Sequence, residues 1–195
     1  MNDPIRLGAV AYSPNVVPIW EGMRDYFRAA GPEIDYVLYS NYDAQVRALL
    51  AGQIDIGWNT NLAWAKVHAR TGGTCRALAM RDADIGFTTV LAVAAGTDAS
   101  GPADLRGRRV ALGSADSVQA AILPRHYLGE AGLDPNRDCE LLCFDLDVGK
   151  HGDTGTSELE VLRALHDGRA DAGFLSLAAW EIQARKGAID AARVV

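Results

Sequence analysis

"QVRALLAGQIDIGWNT", Gln45 to Thr60, and "EVLRALHDGRADAGFLS", Glu160 to Ser176, decide the fold of this chain. Each passes from an amphipathic helix through a glycine stop and an acidic residue into a short apolar strand ending in polar residues. A helix that delivers a buried strand across so short a join belongs to a sheet covered by helices. The near-repeat therefore predicts two similar α/β lobes. It also puts Asn59, Thr60 and Ser176 at the carboxyl ends of strands, where open α/β sheets hold ligands.

The same pattern extends outward. Strands are predicted at 5–12, 34–39, 54–58, 75–81 and 87–95. Helices are predicted at 16–30, at 42–52 behind an Asn41 cap, and from Thr60 to about Arg70. After Gly96 a helical turn at 101–107 leads into strands at 109–112, 139–145 and 171–175. The helices of this half, 117–131, 157–167 and 177–186, close on Gly132, Gly168 and Gly187. The division follows as 1–88 for the first lobe and 89–195 for the second.

With 195 residues the chain can bury a substantial core, and its net charge of −6 comes without any lysine/arginine run. That balance excludes phosphate-tracking nucleic-acid binding. No segment reaches the roughly 18 apolar residues of a membrane span. The start "MNDPIRLGAVAYSP" shows no leader pattern, so either the chain is cytoplasmic or a leader has been removed. Cys75, Cys139 and Cys143 read as reduced, mostly buried thiols.

Candidate ligand groups cluster at strand ends. In "ALGSADSVQAAILP", Ala111 to Pro124, the residues Ser114, Asp116 and Ser117 either cap a helix or line an anion site at its N-terminus. Asn59, Thr60 and Asn61 supply more donors than one cap requires. Tyr12 and Tyr42, at a strand end and a helix start, suit an apolar pocket with a few polar groups. Trp20, Trp58 and Trp64 read as core. The segment "DVGKHGDTGTSELE", 147–160, is longer than a connection needs, which makes His151 and Asp153 candidates. Its "TSELE" end resembles a capping box on Thr156 or Ser157. His151 and Asp153 lack a third ligand, so neither a metal nor a cofactor is expected.

Three passages resemble the phosphate/phosphite/phosphonate branch of the type II periplasmic binding proteins: "YSNYDAQVRALLAGQIDIGWNTNLAW" (39–64), "DLRGRRVALGSADSVQAAILP" (104–124) and "LRALHDGRADAGFLS" (162–176). The resemblance implies a two-lobed α/β fold, each lobe a mainly parallel sheet flanked by helices, with a ligand cleft between the lobes. The first lobe would be incomplete at its C-terminus. It further implies capture of a small polar or anionic solute, a periplasmic location and an ABC-transporter permease as partner. Where phosphonate binders carry a Ser-Thr-Ser-Gly run, this chain reads Ser117-Val118-Gln119-Ala120 and keeps one hydroxyl. The candidate ligand contacts are then Tyr12, Tyr42, Asn59, Thr60, Ser114, Ser117, Gln119, His151 and Asp153. The alternative is an enzyme on the same fold, using the 147–158 loop for acid/base chemistry.

Overall fold

Successive residues of the first strand face opposite ways, and this alternation organises the first part of the molecule. A computed structural model describes residues 3–187, 189 and 192–195. Contacts divide the chain into two units, Met1–Leu78 with Gly149–Asp153, and Ala79–Val148 with Thr154–Val195.

The first unit contains β1 (Ile5–Val10), α1 (Val16–Ala30), β2 (Ile34–Tyr39), α2 (Tyr42–Leu50), β3 (Ile56–Gly57) and α3 (Asn61–Arg70). Its sheet is parallel, in the order β2-β1-β3. Leu7 and Ala9 pack with Val16 and Trp20 of α1, while Val10 packs with Tyr42, Val46, Ala63 and Val67 of α2 and α3. Gly8 and Gly57 are register partners on neighbouring strands. A Cβ on Gly8 would lie 2.3 Å from Ile54 Cδ1 and 3.4 Å from Gln45 Cγ. This strand surface is bare so that α2 can close on it.

The second unit contains β4 (Thr89–Ala94), β5 (Arg109–Leu112), α4 (Leu123–Glu130), α5 (Pro135–Asp138), β6 (Glu140–Cys143), α6 (Thr156–His166), β7 (Ala172–Ser176), α7 (Leu177–Arg185) and β8 (Ala192–Val194). Its sheet runs β6-β5-β7-β4-β8. β5 is parallel to β6 and β7, and β4 is antiparallel to β7 and β8. Val110 and Leu112 face one apolar layer with Leu105, Leu128 and Phe174; Ala111 faces the other with Val161, Leu165 and Leu175.

The two near-repeats fold alike down to one ion pair. Asp55 accepts from the Arg6 backbone N–H at 2.8 Å and from its guanidinium, which also reaches Gly52 O at 3.1 Å. Asp171 accepts from Arg109 N–H at 2.9 Å and from its guanidinium, which also reaches Gly168 O at 2.7 Å. One arginine thus joins the strand start to the glycine that ends the preceding helix. The Arg6 backbone N–H, followed by its guanidinium, holds Asp55 below the usual carboxylate range; for Asp171 the Arg109 guanidinium dominates.

Some elements depart from the sequence reading. The run 75–81 joins no ladder among the described residues, and Leu78 and Met80 stand exposed. Alternation becomes a strand only where a neighbouring backbone completes the hydrogen bonds. The strand predicted over 54–58 is reduced to Ile56–Gly57. The helix predicted over 117–131 opens as a π-turn, Val118–Ile122, with Ser117 O accepting from both Ala121 N–H and Ile122 N–H. Pro124 has no N–H to offer the Ala120 carbonyl. That carbonyl accepts from Gly113 N–H at 2.9 Å instead. Trp20 is core, whereas Trp58 and Trp64 are exposed.

Candidate functional site

The first unit gathers its polar groups around the start of α2. Asn41 is extended and caps the helix by accepting from Ala44 N–H at 2.8 Å. The next orphan donor, Tyr42 N–H, is met at 2.9 Å by the carbonyl of Gly149. Gly149 has φ +95°, and a Cβ there would lie 2.9 Å from Asn41 Cβ, so glycine is what lets 149–153 reach this helix end.

From that contact the segment runs across the carboxyl end of the sheet. Lys150 Nζ donates to Ala11 O at 2.8 Å. His151, buried and with φ +55°, stacks its ring on Tyr42 at 4.7 Å between centroids. Its Nδ1 lies 2.6 Å from Thr60 Oγ1. Thr60 Oγ1 also accepts from Ala63 N–H at 3.2 Å, so one hydroxyl caps α3 and orients the imidazole. The Tyr42 hydroxyl donates to the Asp153 carboxylate. Four predicted site residues, Tyr42, Thr60, His151 and Asp153, therefore form one connected group. Tyr12 is half-buried and packs beside Val10 and Val16.

Asn59 belongs to a second pairing that the sequence reading missed. Gln45, fully buried on α2, donates through Nε2 to Trp58 O at 2.9 Å and to Asn59 Oδ1 at 2.8 Å. Its Oε1 is buried with no hydrogen-bond partner among the described residues, which costs about 1–3 kcal/mol. Asn59 is half-buried, and its Nδ2 has no acceptor among the described residues. In helix periodicity Gln45 reads as an ordinary polar position. Only the bare surface of Gly8 beneath it would have hinted otherwise.

In the second unit the predicted groups turn inward. The Ser114 hydroxyl donates to Leu146 O, and Ser117 caps the π-turn by accepting from Ala120 N–H at 3.2 Å. Both are fully buried, and Gln119 is nearly so. The capping box expected at Thr156 or Ser157 is absent: Gly155, at φ +68°, holds the cap position. Glu158 turns away instead and accepts from Ser176 N–H at 2.7 Å, with the Ser176 hydroxyl 3.4 Å from its other oxygen. Burial pushes the Glu158 carboxyl above its usual range, against the pull of Ser176 and the Gln119 side chain. Among the described residues no three His, Cys, Asp or Glu side chains converge on a metal position, and no helix is long and apolar enough to cross a membrane.

A family model described as "ABC transporter, phosphonate, periplasmic substrate-binding protein" matches residues 9–195. Among solved structures, PhnD1 from Prochlorococcus marinus in complex with methylphosphonate is similar at 20% identity and TM-score 0.66, over 97% of this chain and 70% of that one. The periplasmic aliphatic sulphonate binding protein SsuA from Escherichia coli is similar at 19% identity and TM-score 0.61, over 100% of this chain and 60% of that one. A Xanthomonas citri protein bound to ATP is similar at 20% identity and TM-score 0.68, over 100% of this chain and 72% of that one. At these identities the likeness establishes the α/β fold of the binding proteins. The chain spans between 60% and 72% of the length of these three.

Proposed function

The chain belongs to the family of periplasmic substrate-binding proteins of phosphonate ABC transporters, and from that premise we propose that it captures a small oxyanionic solute of the phosphonate, phosphate or sulfonate kind for uptake. The observation that supports this class is the half-buried Asn59 amide, whose N–H groups have no acceptor among the described residues and stand beside the Thr60 cap of α3. Donors with nothing to meet, next to a helix N-terminus, suit acceptor oxygens carrying negative charge. Tyr42 and His151 form a buried stacked pair held to the same Thr60 hydroxyl. In the same reading Tyr12 and Asp153 of the first unit are candidate contacts. A periplasmic location and delivery to a permease are part of the proposal.

Thermal melting against phosphate, phosphite, methylphosphonate, alkanesulfonates and small carboxylates tests it. A ligand at 100 times its dissociation constant adds about 2.7 kcal/mol, or about 5–11 °C in Tm for a chain of this size. A shift of that order with one oxyanion class is the expected result. Folded protein that shifts with none of the panel overturns the proposal.

A further inference from the structure

The internal repeat provides a control for the buried amide pair. Aligning Gly52 with Gly168, Asp55 with Asp171 and Thr60 with Ser176 brings Gln45 onto Val161 and Asn59 onto Leu175. Val161 and Leu175 are both fully buried in the apolar layer of the second unit. The glycine beneath them matches too: a Cβ on Gly173 would lie 2.5 Å from Val161 Cγ1, whereas one on Gly57 would lie 3.2 Å from the Asn59 amide atoms. The matched helix and strand of the second unit thus carry two aliphatic side chains, and the repeat does not require Gln and Asn at these positions.

We infer that Gln45 is a positioning residue that fixes Asn59 as a hydrogen-bond donor and so sets the site's preference for anions. Trp58 O can only accept, so the group of Gln45 that faces it, 2.9 Å away, is Nε2. The second N–H of that nitrogen points at Asn59, 2.8 Å away, so the atom of Asn59 that meets it is Oδ1. The Asn59 flip is thereby determined, and Nδ2 with both its hydrogens is left for a ligand. An acceptor at position 45 would reverse the amide and offer Oδ1, which repels a phosphonate or phosphate oxygen. The unpartnered Gln45 Oε1 fits this account: the side chain is held for its two donors.

This inference rests on the oxyanion reading for its ligand and not for its geometry, and the two are tested separately. Methylphosphonate and inorganic phosphate are titrated calorimetrically into wild type, Gln45→Met and Asn59→Asp, and the side-chain amide resonances are followed by ¹⁵N NMR. In wild type the Asn59 NH₂ pair is expected to shift on ligand addition. Gln45→Met should keep or raise Tm yet bind about 10-fold more weakly or worse, because the amide is free to turn. Asn59→Asp keeps the acceptor for Gln45 but replaces the outward NH₂ by oxygen. It should leave the Gln45 resonances in place and lose anion binding by about 100-fold. Wild-type binding that Gln45→Met matches within about twofold would overturn the positioning role. Should wild type bind neither probe, the oxyanion reading fails, and the ligand-free spectrum decides the geometry. An Asn59 NH₂ pair unchanged between wild type and Gln45→Met then overturns the positioning as well.

Discussion

In the first unit the strand-to-helix cap is Thr60 and its hydroxyl meets an imidazole, His151; in the second it is Ser176 and its hydroxyl faces a carboxylate, Glu158. Around both caps the scaffold is alike: an arginine–aspartate pair, a glycine stop and a strand that leads to the cap. The second unit fills the rest with Val161 and Leu175 and turns Ser114 and Ser117 onto its own backbone. The first unit keeps an amide pair and leaves the Asn59 N–H groups without acceptors among the described residues. The lesson is that polar residues after a strand do not by themselves make a site. What matters is whether the surrounding backbone has already taken their donors.

The sharpest way to break the comparison is to add one methyl group to each matched glycine. Gly173→Ala forces a Cβ to within 2.5 Å of Val161 Cγ1 and 3.3 Å of the Ala111 carbonyl in a closed layer. Overpacking of this kind costs about 1–3 kcal/mol, a fall of about 2–12 °C in Tm at this size. Gly57→Ala meets the Asn59 amide and Leu49 at 3.2 Å, the nearest atoms to its Cβ. Its melting loss should be the smaller, while methylphosphonate affinity falls with Gly57→Ala and holds with Gly173→Ala. Calorimetry on the two variants reads both quantities.

Next in size are the caps. Thr60→Ala and Ser176→Ala each remove one side-chain acceptor from a helix start, worth about 1 kcal/mol, and denaturant titration should return similar losses. Thr60→Ser should restore nearly all of the first loss, since it keeps the oxygen that meets both Ala63 N–H and His151.

A pH series separates the units further. The folded-state pKa of Glu158 is raised above its ordinary value near 4.5, so the folded protein holds that proton more tightly than the unfolded chain. The penalty is absent below the ordinary value and grows as pH rises through the raised one. Glu158→Gln keeps an acceptor for Ser176 N–H and has no charge to bury. Its Tm relative to wild type should therefore climb as the pH is raised from 4 toward 8. A flat difference would show that the carboxylate is as well solvated folded as unfolded.

The smallest effect is expected at the arginine-bound acids. Asp55 and Asp171 are both held below the ordinary value of 3.8, so their contribution is present above that value and lost as pH falls through the lowered one. The advantage of wild type over Asp171→Asn should shrink on acidification from pH 5 to 3. The same change at Asp55, whose side chain is 48% exposed against 24% for Asp171, should do less.

Most of this architecture was legible in the chain. The αβ units, the Asn41 cap, a cap among Asn59, Thr60 and Asn61, and the glycine stops follow from periodicity and cap chemistry, which act within one helical turn or strand. The run 75–81 was misread because a strand exists only with a partner, and the helix start at 117 because Pro124 redirects a carbonyl in the turn before it. Tertiary structure alone decided the rest: that 149–153 packs on Tyr42 and Thr60, that Glu158 meets Ser176 rather than its own helix, and that Gln45 orients Asn59. In each case the partners lie far apart along the chain or on different elements. No local pattern encodes a hydrogen bond whose geometry arises only once helix and sheet have closed on each other.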